Sequence, residues 1–156
     1  MAVIRLSFPD YHHFHFPDSG VPGEPVSVPG KYHAGGSYSL RRVVPFYNEN
    51  RRMITPFESD HFGPMVIAEV GAMTVGSIRQ CFQPGRNVER GQRKGYFEPG
   101  GSTVVLLFER GRVVFDYDLC VNTKRGIETS IRVGESIGQI PLTLCGRIQG
   151  FPGDQR

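Results

Sequence analysis

Apolar and polar positions alternate over short stretches of this chain, and each stretch is cut off by glycine or proline. That is the pattern of many short strands joined by turns. Val3 to Phe8 predicts the first strand, ended by Pro9, and Val26 to Val28 predicts a short one closed by Pro29-Gly30. The clearest sheet signal runs from Gly63 to Gln80, where Met65, Ile67, Glu69, Val70, Met73, Val75 and Ile78 are punctuated by Gly71 and Gly76. A glycine inside a strand pattern marks a bulge or a close backbone approach. Tyr96-Phe97 reads as short and extended, and Ser102 to Phe108 (STVVLLF) as a strongly apolar strand. Glu109 to Arg112 reads as a turn and Val113 to Phe115 as the returning arm of a hairpin. Gly134 to Ile140 predicts a last short strand. Residues 33–42 and 83–95 read as loops, and Pro45 and Pro56 keep any helix between them short. These elements make an all-β fold, a sandwich or partly closed barrel with long loops and little helix. One core is expected over residues 3–143, with a flexible tail over 144–156.

Composition narrows the class. Of 156 residues, 20 are Gly and 12 are Pro, a load that argues against a helical bundle. Lys plus Arg is 18 against 15 for Asp plus Glu, a net charge of +3 without the dense basic stripe of a nucleic-acid protein. Cys81, Cys120 and Cys145 form no C-x-x-C pair, so neither a zinc ribbon nor a thioredoxin-type motif is present. The N-terminus MAVIRLSFPD has no apolar run of signal-peptide length. No stretch approaches the ~20 apolar residues of a transmembrane helix. The expected location is the cytoplasm or the periphery of a membrane.

Two segments carry candidate chemistry. His12, His13 and His15 fall in four residues (HHFH). On a strand, His13 and His15 share a face and His12 points the other way; on a helix, His12 and His15 share a face. Such a cluster suits metal ligation or acid–base work, or is simply structural. Only His33 and His61 remain as further imidazoles, and no carboxylate stands at ligand spacing, so no metal is assigned. Gly100-Gly101-Ser102-Thr103 enters the most apolar strand. The plain reading is a glycine turn. The chemical reading is a serine hydroxyl that attacks the carbonyl carbon before it, which needs a twisted backbone that glycine tolerates, a base, and donors for the oxyanion.

Together these segments resemble the C-terminal catalytic part of the phosphatidylserine decarboxylases, which are pyruvoyl-dependent. The matching stretches are Arg5 to Gly20 (RLSFPDYHHFHFPDSG), His61 to Met65 (HFGPM), Glu69 to Ile78 (EVGAMTVGSI) and Gly91 to Phe108 (GQRKGYFEPGGSTVVLLF), with a weaker match from Asn122 to Gly138. The resemblance implies a proenzyme that cuts itself between Gly101 and Ser102. Ser102 becomes a covalent pyruvoyl group at the new N-terminus, whose carbonyl takes the substrate amine and is the electron sink for loss of CO2. It implies His15 as the histidine that activates the serine and His12 as the one linked to decarboxylation. It gives His13 no role. It also places His61 to Met65 close to the active site and implies a homodimer.

The chain begins at the segment that matches the family's catalytic core. Full-length members carry a preceding region that supplies an aspartate for the self-cleavage histidine, together with apolar membrane-holding helices. Asp10 belongs to the Asp-Tyr-His motif and is not that aspartate. A truncated chain, a shortened homologue and half of a split enzyme all fit this start. The implied function is conversion of phosphatidylserine to phosphatidylethanolamine. Two other readings stand beside it: a pyruvoyl-dependent decarboxylase of free, aromatic amino acids, and a non-catalytic β domain that binds a ligand or partner. Arg41-Arg42, Arg51-Arg52 and the run from Arg86 to Lys94 are basic clusters suited to anionic headgroups, or are solvated loops.

Overall fold

The computed structural model describes residues 1–33, 46–72, 77–98 and 102–142. The chain forms two compact units, Met1–Phe108 and Glu109–Arg156. The expected C-terminal tail lies outside the described residues, as does nearly all of the loop expected at 33–42.

Among the described residues, the first unit is all-β apart from the four-residue helix α1 (Phe46–Glu49). Its larger sheet has six strands, β1 (Ala2–Leu6), β3 (Gly20–Pro22), β4 (Val26–Val28), β5 (Arg52–Ser59), β6 (Gly63–Gly71) and β9 (Ser102–Phe108). They run in the order β1-β9-β6-β5-β3, and β4 also pairs β5. A second sheet has three strands in the order β2-β8-β7: β2 (His13–His15), β8 (Arg93–Phe97) and β7 (Ile78–Gln80). Every strand pairing within these two sheets is antiparallel.

Strand alternation decides what lies between the sheets. Thr55 and Phe57 on β5, Met65, Ile67 and Glu69 on β6, and Ser102, Val104 and Leu106 on β9 share one face by register. Phe16 meets Phe57 across the layer at 5.3 Å between ring centroids. The other face carries Ala68, Val70 and Val105, covered in part by Tyr47 of α1 and packed beside Ile54. This is the sandwich of the sequence reading, and the larger sheet is open, with β1 at one edge.

β5 tolerates Pro56 for a local reason. The Pro56 carbonyl accepts from Gly23 N at 2.8 Å, on the side where β4 stops at Ile54 and β3 starts at Phe57. No ladder bond there needs the N–H that proline lacks. Gly95 on β8 is required by close approach. A Cβ there would strike the Arg79 carbonyl and lie 2.7 Å from the Phe14 ring.

Two expectations are corrected. Val113 to Phe115 does not return along β9, because β1 and β6 already occupy both sides of that strand. Instead β10 (Val114–Phe115) pairs with β11 (Gly138–Gln139) in the second unit. The loop expected at 83–95 gives way to β8 from Arg93 onward. The second unit also contains α2 (Tyr117–Lys124), which buries no residue and so leaves no periodic apolar stripe to read.

Candidate active site

Ser102 opens β9, opposite Leu6 on β1 and Gly71 on β6. It is 1% exposed, and its Oγ has no hydrogen-bond partner among the described residues. Leaving a buried hydroxyl unpaired costs about 1–3 kcal/mol, so such a group needs a reason. Its side chain shares the inner face with Glu69 and Val104. Gly101 lies outside the described residues.

The chain leaves β1 beside Ser102 and turns at once toward the histidines. The turn is braced: Asp10 N donates to Ser7 O at 3.0 Å, Ser7 N to Asp10 Oδ2 at 2.6 Å, and Arg5 Nη1 to Ser7 Oγ at 2.6 Å. His12 then holds the Asp10 carbonyl through Nδ1 at 2.6 Å. A carbonyl only accepts, so that nitrogen carries the proton.

Tyr11, His13 and His15 stack on one face, with Tyr11–His13 centroids 5.0 Å apart and Tyr11–His15 5.9 Å apart. His13 also leans on Tyr96 of β8 at 5.4 Å, and its buried Nδ1 has no partner. His15 Nδ1 donates to the Gly91 carbonyl at 2.9 Å, and its Nε2 lies 3.2 Å from the Tyr11 hydroxyl. Alternation therefore sets His12 apart from His13 and His15. Ser102, His12 and His15 sit on connected elements, but neither histidine is hydrogen-bonded to Ser102.

Two polar clusters escaped the sequence reading. The first centres on Asp18, which is fully buried. It accepts from Ser59 Oγ at 2.6 Å, from His61 N and Nδ1 at 3.0 Å, and from Arg90 Nη2 at 2.7 Å. Burial pushes the Asp18 carboxyl up, but the bonds from Ser59, Arg90 and His61 together bring it down to about 2. Stability from this group is thus full above the unfolded value near 4 and fades as pH falls from about 4 to about 2. Asp18→Asn is expected to remove that acid dependence and to cost roughly 1–2 kcal/mol at neutral pH, since Arg90 and His61 are themselves half exposed and screened. Denaturant midpoints at pH 7 and pH 3 check this, and equal losses at both would contradict it.

The second cluster is the pair Lys94–Glu69, at 2.8 Å with both side chains fully buried. Lys94 Nζ also donates to Thr55 Oγ1 at 2.9 Å and to Gln80 Oε1 at 2.8 Å, while Gln80 Nε2 donates to Glu69 Oε2 at 2.8 Å. Rings of Phe82, Phe14 and Phe16 surround the ammonium with centroids at 5.0, 5.6 and 5.9 Å. Burial pushes the Glu69 carboxyl up and the Lys94 ammonium down, and each charge opposes the other's shift. Glu69 within an apolar strand was a legible hint; Lys94 in a polar run was not.

His61 to Met65 lies at the β5–β6 turn, the opposite end of β6 from Gly71. At ~3.3 Å per residue that is roughly 25 Å from the Ser102 end.

A family model described as phosphatidylserine decarboxylase matches residues 1–139. The chain is 47% identical over 139 residues to a phosphatidylserine decarboxylase proenzyme of Chlamydia muridarum, covering 89% of this chain and 46% of that protein. It is 45% identical over 136 residues to one of Desulfitobacterium hafniense and 40% identical over 136 residues to one of Clostridium novyi, in each case over 87% of this chain and 46% of the relative. The chain thus spans about half the length of the curated relatives it matches.

Proposed function

We propose, for a chain that belongs to the phosphatidylserine decarboxylase family, that it is catalytic and cuts itself between Gly101 and Ser102. Its reaction is decarboxylation of phosphatidylserine to phosphatidylethanolamine. The observation that carries this reading is the Ser102 hydroxyl, buried and unpartnered at the head of β9. A group that is costly as a structural element fits as a nucleophile and as the precursor of the pyruvoyl group the family implies.

Ser102 Oγ attacks the Gly101 carbonyl carbon. The O–C bond forms, the peptide C–N bond breaks, and the hydroxyl proton passes through His15 to the freed amine. Loss of the Ser102 α-proton expels residues 1–101 as a carboxylate. Water then releases ammonia and leaves a keto group on residue 102. Once present, that group supplies the electron sink for decarboxylation. His12 serves that second reaction. With Nδ1–H held by the Asp10 carbonyl, its proton-transfer atom is Nε2. The substrate lies in a bilayer, so the protein meets a membrane surface. Among the described residues no helix is long and apolar enough to cross one.

Separating the two histidines tests the assignment. His15→Ala is expected to stay uncut. His12→Ala is expected to cut but to form phosphatidylethanolamine about 100-fold or more slowly, the usual range for a lost acid–base group. An uncut His12→Ala beside a cut His15→Ala would reverse the roles. Turnover of free L-amino acids in place of dispersed phosphatidylserine would overturn the substrate.

A further inference from the structure

The uncut chain combines two facts. The proposed nucleophile has no hydrogen-bond partner among the described residues, and the proposed base has both nitrogens engaged. The Gly91 carbonyl can only accept, so His15 Nδ1 carries a proton and the neutral ring has its lone pair on Nε2. The atom facing that lone pair is the Tyr11 oxygen, 3.2 Å away, which therefore donates. Nε2 is the nitrogen that would take the Ser102 proton, and it accepts one hydrogen bond at a time. The two rings lie nearly parallel, 16° apart, so the contact is built by stacking as well as by the hydroxyl.

We infer that Tyr11 is a positioning residue of self-cleavage: its hydroxyl holds the His15 lone pair in the uncut chain, and breaking this contact precedes attack by Ser102. The inference rests on the reading of His15 as the base. The Gly91 contact is different in kind. It fixes the tautomer, since a carbonyl only accepts. Nothing in the backbone ladder depends on the Tyr11 hydroxyl. The loop that carries Gly91 is held separately, by Gly91 N to Phe16 O at 2.9 Å and Phe16 N to Gln92 O at 2.9 Å.

Tyr11→Phe keeps the stacked ring and removes the donor. Tyr11 is half exposed, so the variant folds as the unaltered chain does. Freshly refolded Tyr11→Phe is expected to cleave about 5-fold faster than the unaltered chain, the factor carried by one ordinary net hydrogen bond. The second readout is the 15N spectrum of His15 in the uncut Ser102→Ala background. There Nδ1 is expected to be protonated, and Tyr11→Phe is expected to move only the Nε2 resonance, toward a nitrogen with no donor on it. Cleavage that is unchanged or slower, or an Nε2 resonance that does not move, would overturn the role of Tyr11. The two levels separate through His15→Ala. If that variant is uncut while Tyr11→Phe gains no rate, only Tyr11 is refuted. If His15→Ala cuts at the unaltered rate, or no variant cuts at all, the reading of His15 fails and the role of Tyr11 fails with it.

Discussion

Ser102→Ala is expected to leave a single uncut polypeptide with no carbonyl reactive to hydroxylamine, and one at least as stable as the parent proenzyme. The two halves of that expectation come from the same atom. As the nucleophile, Ser102 Oγ is indispensable to an ester-forming attack on Gly101, and the neighbouring Thr103, also buried with an unpartnered Oγ1, lies on the opposite face of β9. As a structural group, the hydroxyl is desolvated without a bond in return, so its removal deletes a penalty. The expected gain is up to about 1 kcal/mol in unfolding free energy, alongside complete loss of cleavage. Most substitutions at a buried strand position destabilise. A rise or no change would therefore mark Ser102 as kept for chemistry. A denaturing gel and a urea melt decide it, compared with the uncut His15→Ala chain. Cleavage that persists, or a loss of several kcal/mol, would show that the serine serves packing.

The second large effect concerns the charges buried between the sheets. Lys94→Met alone leaves the Glu69 carboxylate buried without its cation, and Glu69→Leu alone strands the Lys94 ammonium. Each is expected to cost about 3–5 kcal/mol, enough to unfold a marginal domain. Glu69→Leu with Lys94→Met together is expected to recover most of that loss. Both charges then leave, and the Phe14, Phe16 and Phe82 rings accept an apolar chain of similar size. Urea midpoints of the four proteins measure the coupling. Additive losses in the double variant would mean that the pair is not the unit that holds β8 against β6.

That pair also shows where sequence reading stops. β9 was legible because STVVLLF is buried almost throughout, and its only short-range alternative, a buried helix segment, is excluded by the glycines before it. β1 and β4 were legible for a different reason, as short apolar runs closed by proline, although neither holds a fully buried residue. β8 was legible only at Tyr96-Phe97; Arg93 to Gly95 were read as loop, since they include a lysine whose burial depends on Glu69, Thr55 and Gln80 from three other strands. No local pattern encodes such a partner set. The failed hairpin after β9 has the same origin: a turn sequence gives the bend, but whether an edge is free depends on β1 and β6. At the site, the identities of Ser102, His12 and His15 came from motif resemblance. Their surroundings came from the fold: the unpartnered Oγ, the Gly91 carbonyl on His15, and Tyr11 over its lone pair. Asp18 was hidden for a comparable reason, because Ser59, His61 and Arg90 reach it from distant parts of the sequence.

Whether this chain makes its own catalytic group from Ser102 is decided by the intact mass of the purified protein under denaturing conditions. Two species are expected, one of residues 1–101 and one of residues 102–156 lighter by one ammonia than a peptide beginning with serine, with the oxygen count of a keto group. A single 156-residue species, unchanged after prolonged incubation at neutral pH, would contradict that expectation.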